Sequence, residues 1–173
     1  MVNTRASGSS TNDGKAIDQS KTIKGLEVEY VDISALPLLN TDLEVNGTYP
    51  PAVEVFREKI AAADGLLFAS PEYNYSVTAP LKNAILVPQM CWLTIVSGGG
   101  GFGRWLSQYH LRQICIYVDV HFINKPEFSL NVFAPPAKFD SDGNLHDDAT
   151  KERLKAVLLS LYAFTLRLQS KSA

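Results

Sequence analysis

Side chains suited to holding a flat ligand are concentrated in one stretch, Ser70-Pro71-Glu72-Tyr73-Asn74-Tyr75-Ser76-Val77-Thr78. Two tyrosines and an asparagine there offer aromatic faces, an amide and loop backbone N–H groups. That set matches a planar heteroaromatic ring with a polar edge. The plainer reading is a strand-to-helix turn capped by Thr78, and composition alone favours it. A second stretch, Ser97-Gly98-Gly99-Gly100-Gly101-Phe102-Gly103, fits a dinucleotide-binding pattern through Gly98, Gly100 and Gly103, with Asp119 as the later acid. This alternative predicts tight NAD binding. Consecutive glycines meet the pattern by accident, however, and too little chain follows Asp119 to complete such a domain.

Metal chemistry finds no support in the spacing. His110, His121 and His146 are too dispersed to read as ligands. Asp140-Ser141-Asp142-Gly143-Asn144 resembles a calcium loop, but alignment on Gly143 puts Lys138 and Ala149 where acids are required. A turn leading into a helix, with Asp147 and Asp148 at its positive end, explains the residues better. Cys91 and Cys115 form no CxxC pair and read as reduced, buried small hydrophobes.

The elements that must position the two loops follow from the hydrophobic pattern. Leu26 to Ile33 reads as a strand, and Pro50-Pro51 opens a helix with Val53, Phe56, Ile60 and Ala63 on one stripe. Gly65 to Ser70 is an apolar run suited to a strand covered on both faces. A helix follows around Leu81, Ala84 and Ile85, ended by Pro88. Trp92–Val96 reads as a strand, Arg104–Gln113 as a helix, Ile114–Val118 as a further strand, and about 148–168 as a last helix. Strands alternating with helices predict an α/β domain with a parallel sheet. Ligands of such sheets bind beyond the carboxyl ends of the strands, where the Pro71–Thr78 and Ser97–Gly103 loops lie.

Composition narrows the function classes. The chain has 173 residues, 46% hydrophobic, with a net charge of -2, which suits one globular domain and argues against a dedicated nucleic-acid partner. No apolar run reaches the ~20 residues of a membrane span, and no secretory leader is visible, so a cytoplasmic protein is expected. Residues 1–20 are rich in Ser, Thr, Asn, Asp and Gly and are expected to form a disordered tail, with the domain occupying 21–173.

The sequence SPEYNYSVTAPLKNAI (70–85) resembles the signature of NAD(P)H-dependent FMN reductases and quinone reductases. The segments GLEVEYVDISALPLLNTDLEVNGTYPPAVEVFREKI, SQYHLRQI and HFINKPEFSLNVFAPPAKFDSDGNL resemble the NAD(P)H:quinone oxidoreductase branch, extending the likeness from Gly25 to Gln169. The resemblance implies a three-layer αβα flavodoxin-like fold of strand order 2-1-3-4-5, bound FMN, and a homo-oligomer, dimer or tetramer. It also implies two-electron reduction of a quinone by NADH or NADPH through flavin N5. Pro71, Glu72, Tyr73 and Asn74 are thereby expected along the flavin, with Ser97, Gly98 and Gly99 contacting it from the next loop. No side chain is expected as an obligatory acid or base.

Three departures accompany the likeness. Family members open with an apolar strand and a Gly-Ser-x-Arg-x-x-Ser loop that grips the FMN phosphate. Here the chain has Met1-Val2-Asn3-Thr4-Arg5-Ala6-Ser7-Gly8-Ser9-Ser10-Thr11-Asn12, with Ser7-Gly8-Ser9 as a possible remnant. The first strand is accordingly expected to be missing or degenerate. Strand 26–33 would then pair directly with 65–70 or hang loose, and FMN binding would be weak or lost. After Ile85 the family's longer connection is replaced by Leu86-Val87-Pro88-Gln89-Met90-Cys91, and in Gly100-Gly101-Phe102-Gly103-Arg104-Trp105-Leu106, where the family is richer in glycine, the bulky Trp105 and Leu106 are expected to block access to the ring. A divergent, truncated or misassembled gene product, acting if at all as a non-enzymatic interaction subunit, is the alternative to the enzyme.

Overall fold

The computed structural model describes residues 2–3, 17–86, 94–95, 105–131 and 134–170. Four short parallel strands form one sheet of order β2-β1-β3-β4. They are β1 (Val2–Asn3), β2 (Val31–Asp32), β3 (Leu67–Ala69) and β4 (Thr94–Ile95). The longer helices are α1 (Pro51–Ala62), α2 (Ala79–Ile85), α3 (Leu106–Ile116) and α4 (Asp148–Gln169).

The first strand is degenerate but present. Val2 is in register with Val31 on one side and with Phe68 on the other. The expected alternatives for strand 26–33, sideways pairing or a loose end, are therefore both corrected: β1 stands between β2 and β3. Its shortness shortens its neighbour, because a ladder needs a partner for each backbone group. Leu26–Tyr30, read as strand from their alternation, have no strand opposite them among the described residues and are irregular. Most of the expected disordered tail over 1–20 lies outside the described residues, and the described ones within it are ordered. Val2–Asn3 are strand, residues 17–20 are helical, and Ser20 is buried with its Oγ donating to Ile17 O at 2.7 Å.

The sheet separates two apolar clusters. On one side Val53, Phe56 and Ile60 of α1, Leu81, Ala84 and Ile85 of α2, and Leu111 and Cys115 of α3 pack with Val31, Leu66 and Phe68. On the other, Leu154, Val157, Leu158 and Leu161 of α4 pack with Leu67, Ile23, Ile123, Phe128 and Leu130. Leu66 and Phe68 face one layer and Leu67 the other, the period-2 alternation of a strand buried on both faces. This is the three-layer α/β arrangement expected.

Ile114–Val118 is not a strand. The helix that begins at Leu106 runs through Ile116, because Ser107, Gln108, Leu111 and Cys115 form one buried helical stripe that crosses the expected boundary. Burial pushes the Cys115 thiol up to about 12, so it is an inert core residue. Asp119, with φ 55, ends a turn after α3 rather than a strand, which removes the second strand that the dinucleotide pattern required. Around Asp140 the calcium-like sequence is a turn: Asp140 Oδ1 accepts from Asp142 N at 3.0 Å and from Asn144 N. Asp147 caps α4, accepting from Thr150 N at 2.8 Å.

Candidate functional site

β3 ends at Ala69, and the chain leaves the carboxyl edge of the sheet through Ser70-Pro71-Glu72 into a two-residue hairpin. Tyr73 N donates to Ser76 O at 3.1 Å and Ser76 N to Tyr73 O at 2.9 Å. The intervening Asn74 and Tyr75 have φ of 48 and 62. Two left-handed residues in succession define a type I′ turn, which favours Asn first and Gly second. Tyrosine in the second position is strained by about 1–2 kcal/mol. Strain of that kind persists where surrounding contacts fix it.

Helix α3 supplies those contacts. Glu72 Oε2 accepts from Ser107 N at 3.0 Å, so a carboxylate from another element caps the positive end of α3. Trp105, at the cap position itself, makes no side-chain cap bond. Three residues beyond Ser107, His110 Nδ1 and Ser76 Oγ are hydrogen-bonded at 3.0 Å, the tautomer deciding which donates. The loop is thus tied to one helix before and after its strained tip. Behind it, Leu81, Ala84 and Ile85 fix α2 in the core, while Asn83 binds the neighbouring loop through Leu39 N to Oδ1 and Nδ2 to Pro37 O, each at 2.8 Å.

What the turn offers a ligand is specific. Tyr73 and Tyr75 are 52% and 59% exposed, so their rings stand at the surface. The Asn74 and Tyr75 N–H groups, unlike those of Tyr73 and Ser76, have no acceptor among the described residues. Two adjacent free donors beside exposed aromatic rings fit the polar edge of a flat heteroaromatic. Glu72 Oε1 and Thr78 Oγ1 are buried and have no hydrogen-bond partner among the described residues. Thr78 occupies the cap position of α2 as read from sequence, yet its side chain makes no cap bond.

The sequence-derived site residues divide accordingly. Pro71, Glu72, Tyr73 and Asn74 come together in this loop. Ser97, Gly98 and Gly99 lie outside the described residues, as does Ser7-Gly8-Ser9. Sequence reasoning missed Ser76, Ser107 and His110. Ser76 and His110 are 34 residues apart along the chain, Glu72 and Ser107 35, and each pair meets only through the packing of α3 against the loop, so no local pattern announces them.

Comparison with known proteins bears on this geometry. Residues 10–134 match the model of the family described as NADPH-dependent FMN reductase. The chain is 65% identical over 164 residues to the NADPH:quinone oxidoreductase of Arabidopsis thaliana, covering 90% of this chain and 84% of that one. It is 64% identical over 157 residues to the NAD(P)H:quinone oxidoreductase of Solanum tuberosum, covering 87% and 81%. Among solved structures, the flavoenzyme NAD(P)H:(acceptor) oxidoreductase of Paracoccus denitrificans superposes with a TM-score of 0.74 at 21% identity, covering 96% of each chain, which shows a shared fold. By the breadth of the family match and the identity to these relatives, the chain belongs to the NADPH-dependent FMN reductase family.

Proposed function

We propose that this chain reduces quinones with NAD(P)H by way of bound FMN. The balance is one NAD(P)H, one proton and one quinone giving NAD(P)+ and a hydroquinone. When bound, the flavin supplies the hydride relay between nicotinamide and quinone, the chemistry a side chain cannot provide. The observation that carries the reading is the turn at the end of β3, with its two unbonded N–H groups between exposed tyrosines.

In this reading Pro71, Glu72, Tyr73 and Asn74 hold the ring, with Asn74 and Tyr75 donating their backbone N–H groups to its polar edge. Glu72 acts through position, since one carboxylate oxygen is already committed to the Ser107 amide. Ser97, Gly98 and Gly99, which follow β4 in sequence, are assigned to the same flavin by the family resemblance alone. No side chain is assigned as acid or base. The assembly is a homo-oligomer and the compartment the cytoplasm; among the described residues, no helix is long and apolar enough to cross a membrane. The names of the relatives lend nothing to the alternative of a non-enzymatic subunit.

The test is quinone reduction by the full chain with NADH or NADPH, with and without added FMN. The expected result is turnover that rises with FMN to saturation. Absence of FMN-dependent turnover with both nicotinamides overturns the reading.

A further inference from the structure

Helix α3 is a fixed platform. Leu111 and Cys115 are buried in the core, and the buried Gln108 donates from Nε2 to Phe128 O at 2.9 Å. His110 stands outside that buried stripe, exposed, with its Nδ1 bonded to Ser76 Oγ at 3.0 Å. The turn it reaches does not select its own conformation. The paired backbone bonds between Tyr73 and Ser76 close a two-residue hairpin whichever way its central peptide faces. Tyr75 is moreover a poor residue for the left-handed position it holds.

What sets this turn apart is how its two arms are pinned. Glu72 on the incoming arm meets Ser107, and Ser76 on the outgoing arm meets His110. Residues three apart on a helix are neighbours on one face and rise ~4.5 Å along it. A hydrogen-bonded rung of a hairpin, such as Tyr73 with Ser76, spans about 5.5 Å. The anchors on α3 therefore have nearly the spacing of the arms they hold.

The second anchor is chemically specific. Ser76 O–H donates to a bare Nδ1, or a protonated Nδ1 donates to Ser76 Oγ, so the contact outlasts a change in the ring's protonation. The atom used is Nδ1, one bond from Cγ. Asparagine puts an amide oxygen or nitrogen at that same remove. Glutamine carries its amide one bond further, at the level of Nε2, and phenylalanine offers neither donor nor acceptor.

We infer, on the reading above that this loop holds the ring, that His110 is a positioning residue for the flavin. Through Ser76 it keeps Asn74 and Tyr75 in the left-handed pair that leaves their N–H groups free. His110 itself touches neither flavin nor substrate in this role.

The probe is riboflavin, which carries the ring without the phosphate, titrated into the full chain with Kd read from flavin fluorescence. His110→Phe is expected to weaken binding about five- to tenfold, the worth of one exposed hydrogen bond. His110→Asn is expected to stay within about twofold of the parent, and His110→Gln to resemble His110→Phe. Ser76→Ala should match His110→Phe, and the two together should be no worse than either alone. In a Tyr75→Gly background the turn becomes Asn-Gly, which adopts this conformation unaided, so the effect of His110→Phe should shrink to about twofold or less. A parent that binds riboflavin while His110→Phe binds equally well, Asn and Gln variants that lose alike, additive losses, or an undiminished effect beside Tyr75→Gly each overturns the assignment and leaves the functional reading standing. A parent that binds neither riboflavin nor FMN overturns both.

Discussion

Tyr75 sits at φ 62, where a β-carbon is costly and a glycine is not. Replacing it by glycine should relieve that strain, so Tyr75→Gly is expected to stabilise the fold by about 1 kcal/mol, raising Tm by roughly 2–4 °C. Flavin affinity should fall in the same variant, because the ring beside the donor pair is lost. A thermal melt with and without FMN separates the two effects, and a lower Tm in the flavin-free variant would contradict the strain argument. Glu72 makes the complementary case. It caps α3 from outside the helix, so Glu72→Ala removes both the acceptor for Ser107 N and the charge at the positive end. A loss of about 1–2 kcal/mol is expected, most of it recovered by Glu72→Gln, which still accepts the bond. Equal losses in both variants would show that charge, not the bond, dominates. Neither residue's role was legible in sequence. The motif marked the loop, but the cap lies on Ser107 and only packing reveals it.

The longer helices were legible throughout and strands only in part, β3 and β4 forming inside the runs 65–70 and 92–96 while other strand readings failed, for reasons visible in particular residues. α1 carries Val53, Phe56 and Ile60 on one face behind Pro50-Pro51, and α4 carries Leu154, Val157, Leu158 and Leu161, so their periods repeat often enough to be unambiguous. Ile114–Val118 is a short apolar run that periodicity cannot distinguish from a buried helix end, and the stripe from Ser107 to Cys115 decided it. Leu26–Tyr30 alternated correctly but lacked a strand to pair with. At α4, the Asp147 cap has a pH consequence. The Thr150 hydroxyl and then its N–H hold the Asp147 carboxyl below the usual aspartate range. A depressed folded value means that stability is present above the unfolded value and is lost as pH falls through the folded one. Acid unfolding should therefore include a component from this cap below about pH 4, the ordinary aspartate range. Asp147→Asn is expected to be less stable than the parent at neutral pH and to converge with it in acid. A constant difference across that range, read from denaturant midpoints, would show that the cap does not titrate with folding.

At the scale of the molecule, the sheet places two demands of one ligand on different parts of the chain. The ring's polar edge is served by the β3 loop, whose tip is fixed through Glu72 and Ser76 on α3. A phosphate is served, in this family's resemblance, by the segment following β1, which among the described residues is Val2–Asn3, and the sequence after it departs from the family's loop. Riboflavin has the same ring and lacks the phosphate, so the two flavins measure the two halves of the site separately. If the β3 loop is intact and the phosphate segment degenerate, riboflavin and FMN should bind with affinities within about tenfold, a difference under ~1.4 kcal/mol. Each flavin should raise Tm in proportion to its occupancy, because only the folded chain offers the site. FMN should also dissociate during gel filtration. A much larger preference for FMN, with flavin retained through the column, would mean that Ser7-Gly8-Ser9 and its neighbours still grip a dianion despite their divergent sequence. Failure of both flavins to shift Tm would instead locate the defect in the ring site, which the strained, doubly anchored turn argues against.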